Sequence, residues 1–284
     1  MELNSPASRL LRDLLEVRTG QRFETSHGWR IEAALGSVMA RHGIVDVVML
    51  GVRLLDPASR GLADDVVHAL LNNETYFFRD ASIFNGLEAV LHRLAERRNA
   101  GKRLRIWSAG CSSGQELYSL AMIIAKDRQR WRDWKIELLG TDISSTIVDR
   151  ARQGEYSQFE IQRGLPVRYM LRWFSQVGER WRINSSLREM VGFRTHNILD
   201  RPPAGAFDIV LCRNVLFYFP EATRGKAFDR LADALAPDGL LMLGAGETTL
   251  GQTGRFAGSP EGRGLYRRID IDVAERMSRR AVRA

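Results

Sequence analysis

Short apolar runs alternate with helical patterns from about residue 82 to residue 244 of this 284-residue chain. Alternation of this kind is typical of the strands and crossover helices of an open, doubly wound parallel sheet, so we predict an α/β fold. A last strand near 264–269 follows a loop too short for a crossover helix, and we expect it to run antiparallel. The predicted helices fall at about 82–97, 114–126, 145–153 and 221–236, and the predicted strands are LRIWSA (104–109), KIELLG (135–140), MVGFRTHNI (190–198), FDIVLC (207–212) and GLLMLG (239–244).

Residues 1–72 show helical periodicity without this alternation. Three apolar stripes recur at the three- and four-residue spacing of a helix face, and each stripe needs a partner to cover it. We therefore predict an all-helical N-terminal domain over 1–72, followed by a second domain over 73–284. The stripes are Leu10, Leu11, Leu14 and Leu15; Ile31, Ala34, Leu35, Val38 and Met39; and Leu62, Val66, Val67, Leu70 and Leu71.

One stretch of the second domain breaks the alternation. From about residue 155 to residue 190 the pattern predicts a short helix and then two strands around Gly178. We interpret it as a small β-subdomain inserted into the main fold. It is either a docking surface or a structural decoration, and the pattern leaves both open.

The chain carries a net charge of +8, from 42 Lys and Arg against 34 Asp and Glu. A basic surface can attract nucleic acid, a membrane or an acidic protein. No block of Lys and Arg interleaved with aromatic residues is present, so nucleic acid is not an expected partner. An acidic protein partner and a merely solvated basic surface remain the two interpretations.

Cysteine and histidine usage limits the compartment and the chemistry. Two cysteines in 284 residues exclude a disulfide scaffold and favour a reducing, cytoplasmic setting. The first twenty residues carry charges throughout, so no signal peptide is expected, and no window of eighteen residues is apolar enough to span a membrane. The five histidines lack HxxxH or HxH spacing, so no metal site is expected.

Polar residues follow four of the predicted strands. In an open parallel sheet, ligands bind outside the carboxyl ends of the strands. A glycine-containing loop, 109–114, follows the first strand and places Glu116 in the first turn of the next helix. Asp142 follows the second strand, the third strand runs into Asn197, and Asn214 comes just after the fourth strand. Each could serve only as a turn or capping residue, but together they predict a ligand site.

The residue types at this site indicate the class of ligand. The loop has GxxxG spacing, which differs from the GxGxxG of dinucleotide sites, and the chain has no GxxxxGK[ST] phosphate loop. Carboxylates such as Glu116 and Asp142 suit a cationic ligand with ribose hydroxyls. S-adenosylmethionine has both features, whereas NAD does not fit a site without a phosphate grip.

Six stretches of the chain resemble the CheR family of chemoreceptor glutamate methyltransferases, and the resemblance runs from about residue 5 to residue 269. The first and fifth stretches are the specific ones; the others occur loosely in many methyltransferases. They are NETYFFR (73–79), WSAGCSSGQELYSLAM (107–122), GTDIS (140–144), NILD (197–200), FDIVLCRNVLFYF (207–219) and LAPDGLLML (235–243).

The resemblance implies a Rossmann-like class I methyltransferase fold with an N-terminal helical domain and a small inserted β-subdomain. It implies methyl transfer from S-adenosylmethionine to glutamate side chains on the cytoplasmic helical domain of chemoreceptors, giving γ-methyl esters and S-adenosylhomocysteine. The enzyme is expected to be a cytoplasmic monomer that meets the membrane only through the receptor. The same fold could instead methylate another protein or RNA, or the chain could bind the cofactor without catalysis.

The family motifs also imply roles for individual residues. The cofactor is expected to contact Asn73, Thr75, Arg79, Glu116, Asp142, Asn197, Ile198, Asn214 and Val215. We hypothesise that Arg79 also guides the substrate carboxylate, because a guanidinium can bind it through two hydrogen bonds. Tyr218 would complete the pocket, or else serve only in core packing.

This chain departs from the family motifs at three places. Leu117 stands where Pro is usual, and Ile198 replaces a usual Leu. Gly244-Ala245-Gly246-Glu247 replaces the common Gly-His-Ser-Glu, so no role of that histidine carries over.

Overall fold

The computed structural model describes residues 5–22 and 28–269, and only the backbone of residues 28–32. The chain divides into two compact units. One holds the described residues up to Asn72 together with Tyr218–Thr223, and the other holds Asn73–Phe217 and the described residues from Arg224 onward. Among the described residues, no helix has the length and apolar character needed to cross a membrane.

The described part of the first unit contains four helices: α1 (Pro6–Thr19), α2 (Gly28–Arg41), α3 (Val47–Leu54) and α4 (Arg60–Leu70). A 3₁₀ turn, Pro57–Ser59, precedes α4. The unit has its own apolar core, which confirms that the predicted helices pack together. The side chain of Ile31, which was predicted to take part, lies outside the described residues. Helix α3 was not predicted. The core side chains are Leu11, Leu35, Val38, Ile44, Leu50, Leu62 and Val66.

Local sequence explains where these helices begin and end. Ser5 caps α1 by accepting a hydrogen bond from the backbone N–H of Ser8, and Asp46 caps α3 in the same way from Met49. Helix α1 stops at Gly20, whose φ of 77° lies in the left-handed region that glycine tolerates.

The rest of the chain alternates helices and strands. The further helices are α5 (Ala81–Arg97), α6 (Gln115–Lys126), α7 (Ser145–Gln153), α8 (Gln158–Gln162), α9 (Val167–Trp173), α10 (Ser185–Arg188) and α11 (Glu221–Ala234). The strands are β1 (Arg103–Ala109), β2 (Lys135–Asp142), β3 (Glu155–Ser157), β4 (Phe174–Val177), β5 (Arg180–Ile183), β6 (Val191–Thr195), β7 (Phe207–Cys212), β8 (Leu235–Leu243), β9 (Phe256–Gly258) and β10 (Leu265–Arg268).

Seven of these strands form one sheet in the order β6-β2-β1-β7-β8-β10-β9. The five strands from β6 to β8 run parallel, which confirms the predicted α/β fold. Strand β10 pairs antiparallel with β8, as predicted from the short preceding loop. Strand β9 was not predicted, because its three residues lie inside a glycine-rich loop.

The order of strands reverses between β1 and β7. The chain moves outward from β1 to β2 and β6, and then returns to the other side of β1 as β7 and β8. Such a reversal opens a crevice at the carboxyl ends of the strands, because the loops after β1 and β7 diverge to opposite faces. Helices α5 and α6 bury apolar side chains in the same core as β1 and β7, and this packing holds both helices against the centre of the sheet.

The stretch between α7 and β6 forms a second sheet of three strands in the order β3-β5-β4. Strands β4 and β5 make a hairpin around Gly178, which has a φ of 60°. Strand β3 was not predicted. Phe77 contacts Tyr156 and Phe174 edge to face, with ring centroids 5.0 and 5.5 Å away.

The contact between β2 and β6 at Gly140 yields a test of the fold. A Cβ at Gly140 would lie 2.6 Å from Cδ1 of Phe193, which pairs with it on β6. We expect Gly140→Ala to lower the free energy of unfolding by about 1–3 kcal/mol through overpacking, measured by urea denaturation. Gly192→Ala on β6 is the matched control, because its Cβ would meet nothing closer than 3.9 Å. Equal stability of the two variants would contradict the packing described here.

Candidate active site

The loop between β1 and α6 turns sharply at the carboxyl edge of the sheet. Gly110, Ser112 and Gly114 all have positive φ, at 80°, 48° and 91°. A Cβ at Gly110 would lie 2.5 Å from Cγ2 of Val215, so only glycine allows the loop to lie against the segment that follows β7. The glycine-containing loop that was predicted to line the site therefore lies against Val215, which was also predicted to be a site residue.

Asp142 ties two loops together at the end of β2. It is 8% exposed; one carboxylate oxygen accepts the backbone N–H of Ser112 at 2.9 Å, and the other accepts that of Ser144 at 3.1 Å. The hydroxyl of Ser112 donates to the carbonyl of Asn73 at 2.8 Å. The structure thus brings Asn73 and Asp142 to the same loop, as the site prediction requires.

Glu116 meets an arginine that sequence reasoning missed. Nη1 of Arg213 donates to one Glu116 oxygen at 2.8 Å, and the hydroxyl of Ser108 donates to the other at 2.8 Å. The second nitrogen, Nη2, donates to the Asp80 carboxylate at 2.9 Å and to the carbonyl of Arg79 at 2.6 Å. The side chain of Arg213 is only 1% exposed. One buried cation therefore holds the first turn of α6 and the segment around residue 80 against the end of β7.

This network changes the electrostatics inferred from the sequence. Two acids, Glu116 and Asp80, share one guanidinium, so the cluster keeps a net charge of −1. The guanidinium carbon also lies 5.1 Å from the ring centroid of Phe84. A lone basic residue within the mostly apolar stretch FDIVLCRNVLFYF is a signal for a buried ion pair, although its partners are distant in sequence.

Arg79 and Thr75 are both partly exposed. Nη1 of Arg79 donates to the carbonyl of Glu74 at 2.7 Å, and the guanidinium lies 5.5 Å from the ring centroid of Tyr76. The backbone carbonyl of Arg79 is fixed by Arg213, so the position of this residue depends on the buried network.

The end of β7 places Asn214 and Val215 in the same region. Asn214 has a φ of 60°, which is uncommon for a residue with a side chain. Its amide oxygen, Oδ1, is buried and has no hydrogen-bond partner among the described residues. A buried acceptor left unpaired costs free energy unless a ligand pairs with it.

The end of β6 joins the end of β2 through a hydrogen bond from the backbone N–H of His196 to the carbonyl of Asp142, at 2.9 Å. Asn197 then accepts the backbone N–H of Leu199 through its own side chain at 3.0 Å, and Ile198 is 8% exposed. Burial lowers the pKa of His196, whose ring packs edge to face with Trp107 at 6.0 Å.

Tyr218 lies in a 3₁₀ turn, Leu216–Tyr218, and belongs to the same compact unit as residues 5–22 and 28–72. Its hydroxyl accepts a hydrogen bond from the side-chain amide of Asn72, and its carbonyl accepts the backbone N–H of Arg22 at 2.8 Å. The predicted role of this tyrosine stays a prediction.

Neither cysteine is suited to act as a nucleophile. Cys111 and Cys212 are 2% and 0% exposed, and burial raises the pKa of both thiols well above the usual range. Since the thiolate is the reactive form, both cysteines are inert near neutral pH.

Loss of the buried arginine tests the network directly. Arg213→Gln leaves Glu116 and Asp80 without their shared cation, and we expect the free energy of unfolding to fall by about 3 kcal/mol in urea denaturation. Arg150→Gln is the control: it removes an arginine whose side chain is 37% exposed and paired with Glu160 at 2.6 Å, a pair worth about 1 kcal/mol or less. A loss at Arg213 no greater than at Arg150 would show that the buried network does not support the fold.

The chain is similar in sequence to known methyltransferases of bacterial chemotaxis. "Chemotaxis protein methyltransferase Cher2" of Pseudomonas putida is 36% identical over 245 residues, covering 84% of this chain and 89% of that protein. "Chemotaxis protein methyltransferase 1" of Pseudomonas aeruginosa is 37% identical over 244 residues, covering 84% and 88%. A "Chemotaxis protein methyltransferase" of Vibrio anguillarum is 33% identical over 247 residues, covering 85% and 89%.

A family model described as "CheR methyltransferase, SAM binding domain" matches residues 73–263. This range contains every residue predicted to contact the cofactor. Together with the relatives, it confirms the resemblance found in the sequence motifs. The chain belongs to the CheR methyltransferase family, whose members use S-adenosylmethionine.

Proposed function

We propose that this protein transfers a methyl group from S-adenosylmethionine to glutamate side chains of chemoreceptors, giving γ-methyl esters and S-adenosylhomocysteine. The observation that carries the proposal is that the matched family domain spans all nine proposed cofactor contacts, from Asn73 to Val215. The relatives are named as chemotaxis methyltransferases, which favours a substrate in chemotaxis over RNA or an unrelated protein.

The polar groups at the sheet edge fit this cofactor. A carboxylate at the end of a second strand, here Asp142, suits the two ribose hydroxyls, and the unpaired oxygen of Asn214 suits a ligand N–H. Arg213 is already bound by two acids, so it is not a phosphate anchor. We propose that the cofactor is held by Asn73, Thr75, Arg79, Glu116, Asp142, Asn197, Ile198, Asn214 and Val215.

The chain's own residues have little acid–base chemistry to perform. The bound cofactor supplies an electrophilic methyl group on a positively charged sulfur. A glutamate carboxylate with an ordinary pKa near 4.3 is ionised at pH 7, so it needs no general base. The protein must instead align the carboxylate oxygen with the methyl group, and such positioning can lower a barrier by about 7–11 kcal/mol. We assign this alignment to Arg79.

We further propose a domain organisation, a partner and a cellular location for this protein. Residues 1–72 form a helical domain and residues 73–284 a methyltransferase domain, with a β-subdomain inserted at about 155–190. The partner is the cytoplasmic helical domain of a chemoreceptor, so the protein meets the membrane only through that receptor. The net charge of +8 is compatible with an acidic, glutamate-bearing partner, and the lack of a Lys and Arg block interleaved with aromatic residues disfavours nucleic acid. The enzyme acts as a monomer in the cytoplasm.

Transfer of a labelled methyl group to receptor-containing membranes tests the reaction. We expect label on the receptor that is released as methanol by mild base, because a carboxyl ester hydrolyses where an N-methyl group does not. Membranes from cells lacking chemoreceptors are the control. Base-stable label, or stimulation of cofactor turnover by RNA instead of receptor, would contradict the proposed substrate.

Two arginines around Tyr76 allow a matched test of Arg79. Arg79 and Arg163 both stack on this ring, at 5.5 and 4.4 Å, and both bond to Glu74. We expect Arg79→Ala to lower kcat/KM by about 100-fold or more with the fold intact, since charged hydrogen bonds contribute roughly 1.5–3 kcal/mol each. Arg163→Ala should keep near-normal turnover. Equal activity of the two variants would remove Arg79 from the mechanism.

A further inference from the structure

Glu247 collects an unusual number of backbone donors at the carboxyl edge of the sheet. One of its oxygens accepts the N–H groups of Asn214 at 2.7 Å and Gly244 at 3.0 Å. The other accepts those of Val215 at 3.1 Å and Leu216 at 2.9 Å. One carboxylate therefore satisfies four main-chain donors in two segments: the one that follows β7 and the one that follows β8.

This arrangement holds Asn214 in a conformation that it would otherwise leave. A non-glycine residue at a φ of 60° persists only where its surroundings fix it. Three consecutive N–H groups, starting at Asn214, converge on the carboxylate, as in a backbone anion nest. Because an ionised acceptor strengthens each of these hydrogen bonds, the turn is fixed more firmly than a neutral side chain could fix it.

The third participant, Gly244, leaves just enough room for the pair. A Cβ at Gly244 would lie 2.8 Å from Nδ2 of Asn214 and 2.9 Å from Oε2 of Glu247. The asparagine side chain and the carboxylate therefore both lie close against the backbone of residue 244. The same asparagine carries the buried, unpaired Oδ1.

We propose that Glu247 is a positioning residue for cofactor binding, which acts by fixing Asn214 and Val215 through their backbone N–H groups. The proposal rests on the proposed function, in that Asn214 and Val215 contact the cofactor. Glu247 itself accepts four backbone N–H groups and acts through the main chain. It is the glutamate of the Gly-Ala-Gly-Glu stretch, and its geometry does not require the histidine that this stretch lacks.

The test measures the affinity of purified full-length protein for S-adenosylhomocysteine by titration calorimetry. Glu247→Gln replaces one acceptor oxygen by an NH₂ group, which cannot accept from the backbone, and we expect binding to weaken about tenfold. Glu261→Gln is the matched control, because that carboxylate pairs with Arg93 and Arg97 and contacts none of the proposed cofactor residues. Its affinity should stay within twofold of the unaltered protein.

A double-mutant cycle separates positioning from general loss of structure. Asn214→Gly removes the amide while keeping a residue that tolerates positive φ. Because Glu247 acts partly through Asn214, the loss of affinity in the double variant should be smaller than the sum of the two single losses. Additive losses, or unchanged affinity in Glu247→Gln, would overturn the proposal.

A second variant covers the case in which Glu247→Gln does not fold. Gly244→Ala keeps the carboxylate and instead pushes a methyl group against Asn214 and Glu247. It should also weaken binding of S-adenosylhomocysteine, and unchanged affinity would contradict the positioning role. Binding of S-adenosylhomocysteine by the unaltered protein is the reference in each experiment. If the unaltered protein does not bind it, the proposed function is refuted. If the unaltered protein binds it and the variants bind it equally well, only the role of Glu247 is refuted.

Discussion

The site depends on one buried guanidinium. Arg213, at the end of β7, binds Glu116 on α6 and Asp80 at the start of α5, and it also holds the carbonyl of Arg79. Removing such a charge from water is costly, and the cost is offset only when all its partners are in place. Loss of either acid would therefore leave the buried guanidinium with less of its charge compensated. The network joins three stretches of chain that lie far apart in sequence but each carry proposed site residues.

The sheet provides the frame on which this network acts. Reversal of strand order between β1 and β7 leaves the carboxyl edge open, and acids and amides then close around it: Asp142 ties the loops after β1 and β2, while Glu247 ties those after β7 and β8. Each tie is a carboxylate that accepts backbone N–H groups. These carboxylates therefore make the carboxyl edge of the sheet negative and also fix the conformation of the loops after the strands.

Much of the fold follows from local patterns, and the interior of the site does not. Periodicity predicts the parallel strands, and the short preceding loop predicts the direction of β10. Strands β3 and β9 were missed, because three residues each show too little alternation to be detected. Asp142 and Asn214 stand out because they follow apolar strands. The partners of Arg213 and Glu247 do not stand out in the sequence. Neither the buried ion pair between residues 213 and 116 nor the hydrogen bonds from the backbone of 214–216 to the carboxylate of residue 247 leave a periodic signal.

We propose that a crevice built from carboxylates and amides, without a phosphate anchor, binds a cofactor with a cationic sulfur. Calorimetric titration of the unaltered, folded protein with S-adenosylhomocysteine in the presence of excess inorganic pyrophosphate tests this most directly, because pyrophosphate has the phosphates of a dinucleotide but not its adenosine. We expect binding of one molecule per chain with an affinity that pyrophosphate leaves unchanged. No uptake of S-adenosylhomocysteine, or its displacement by pyrophosphate, would contradict this claim.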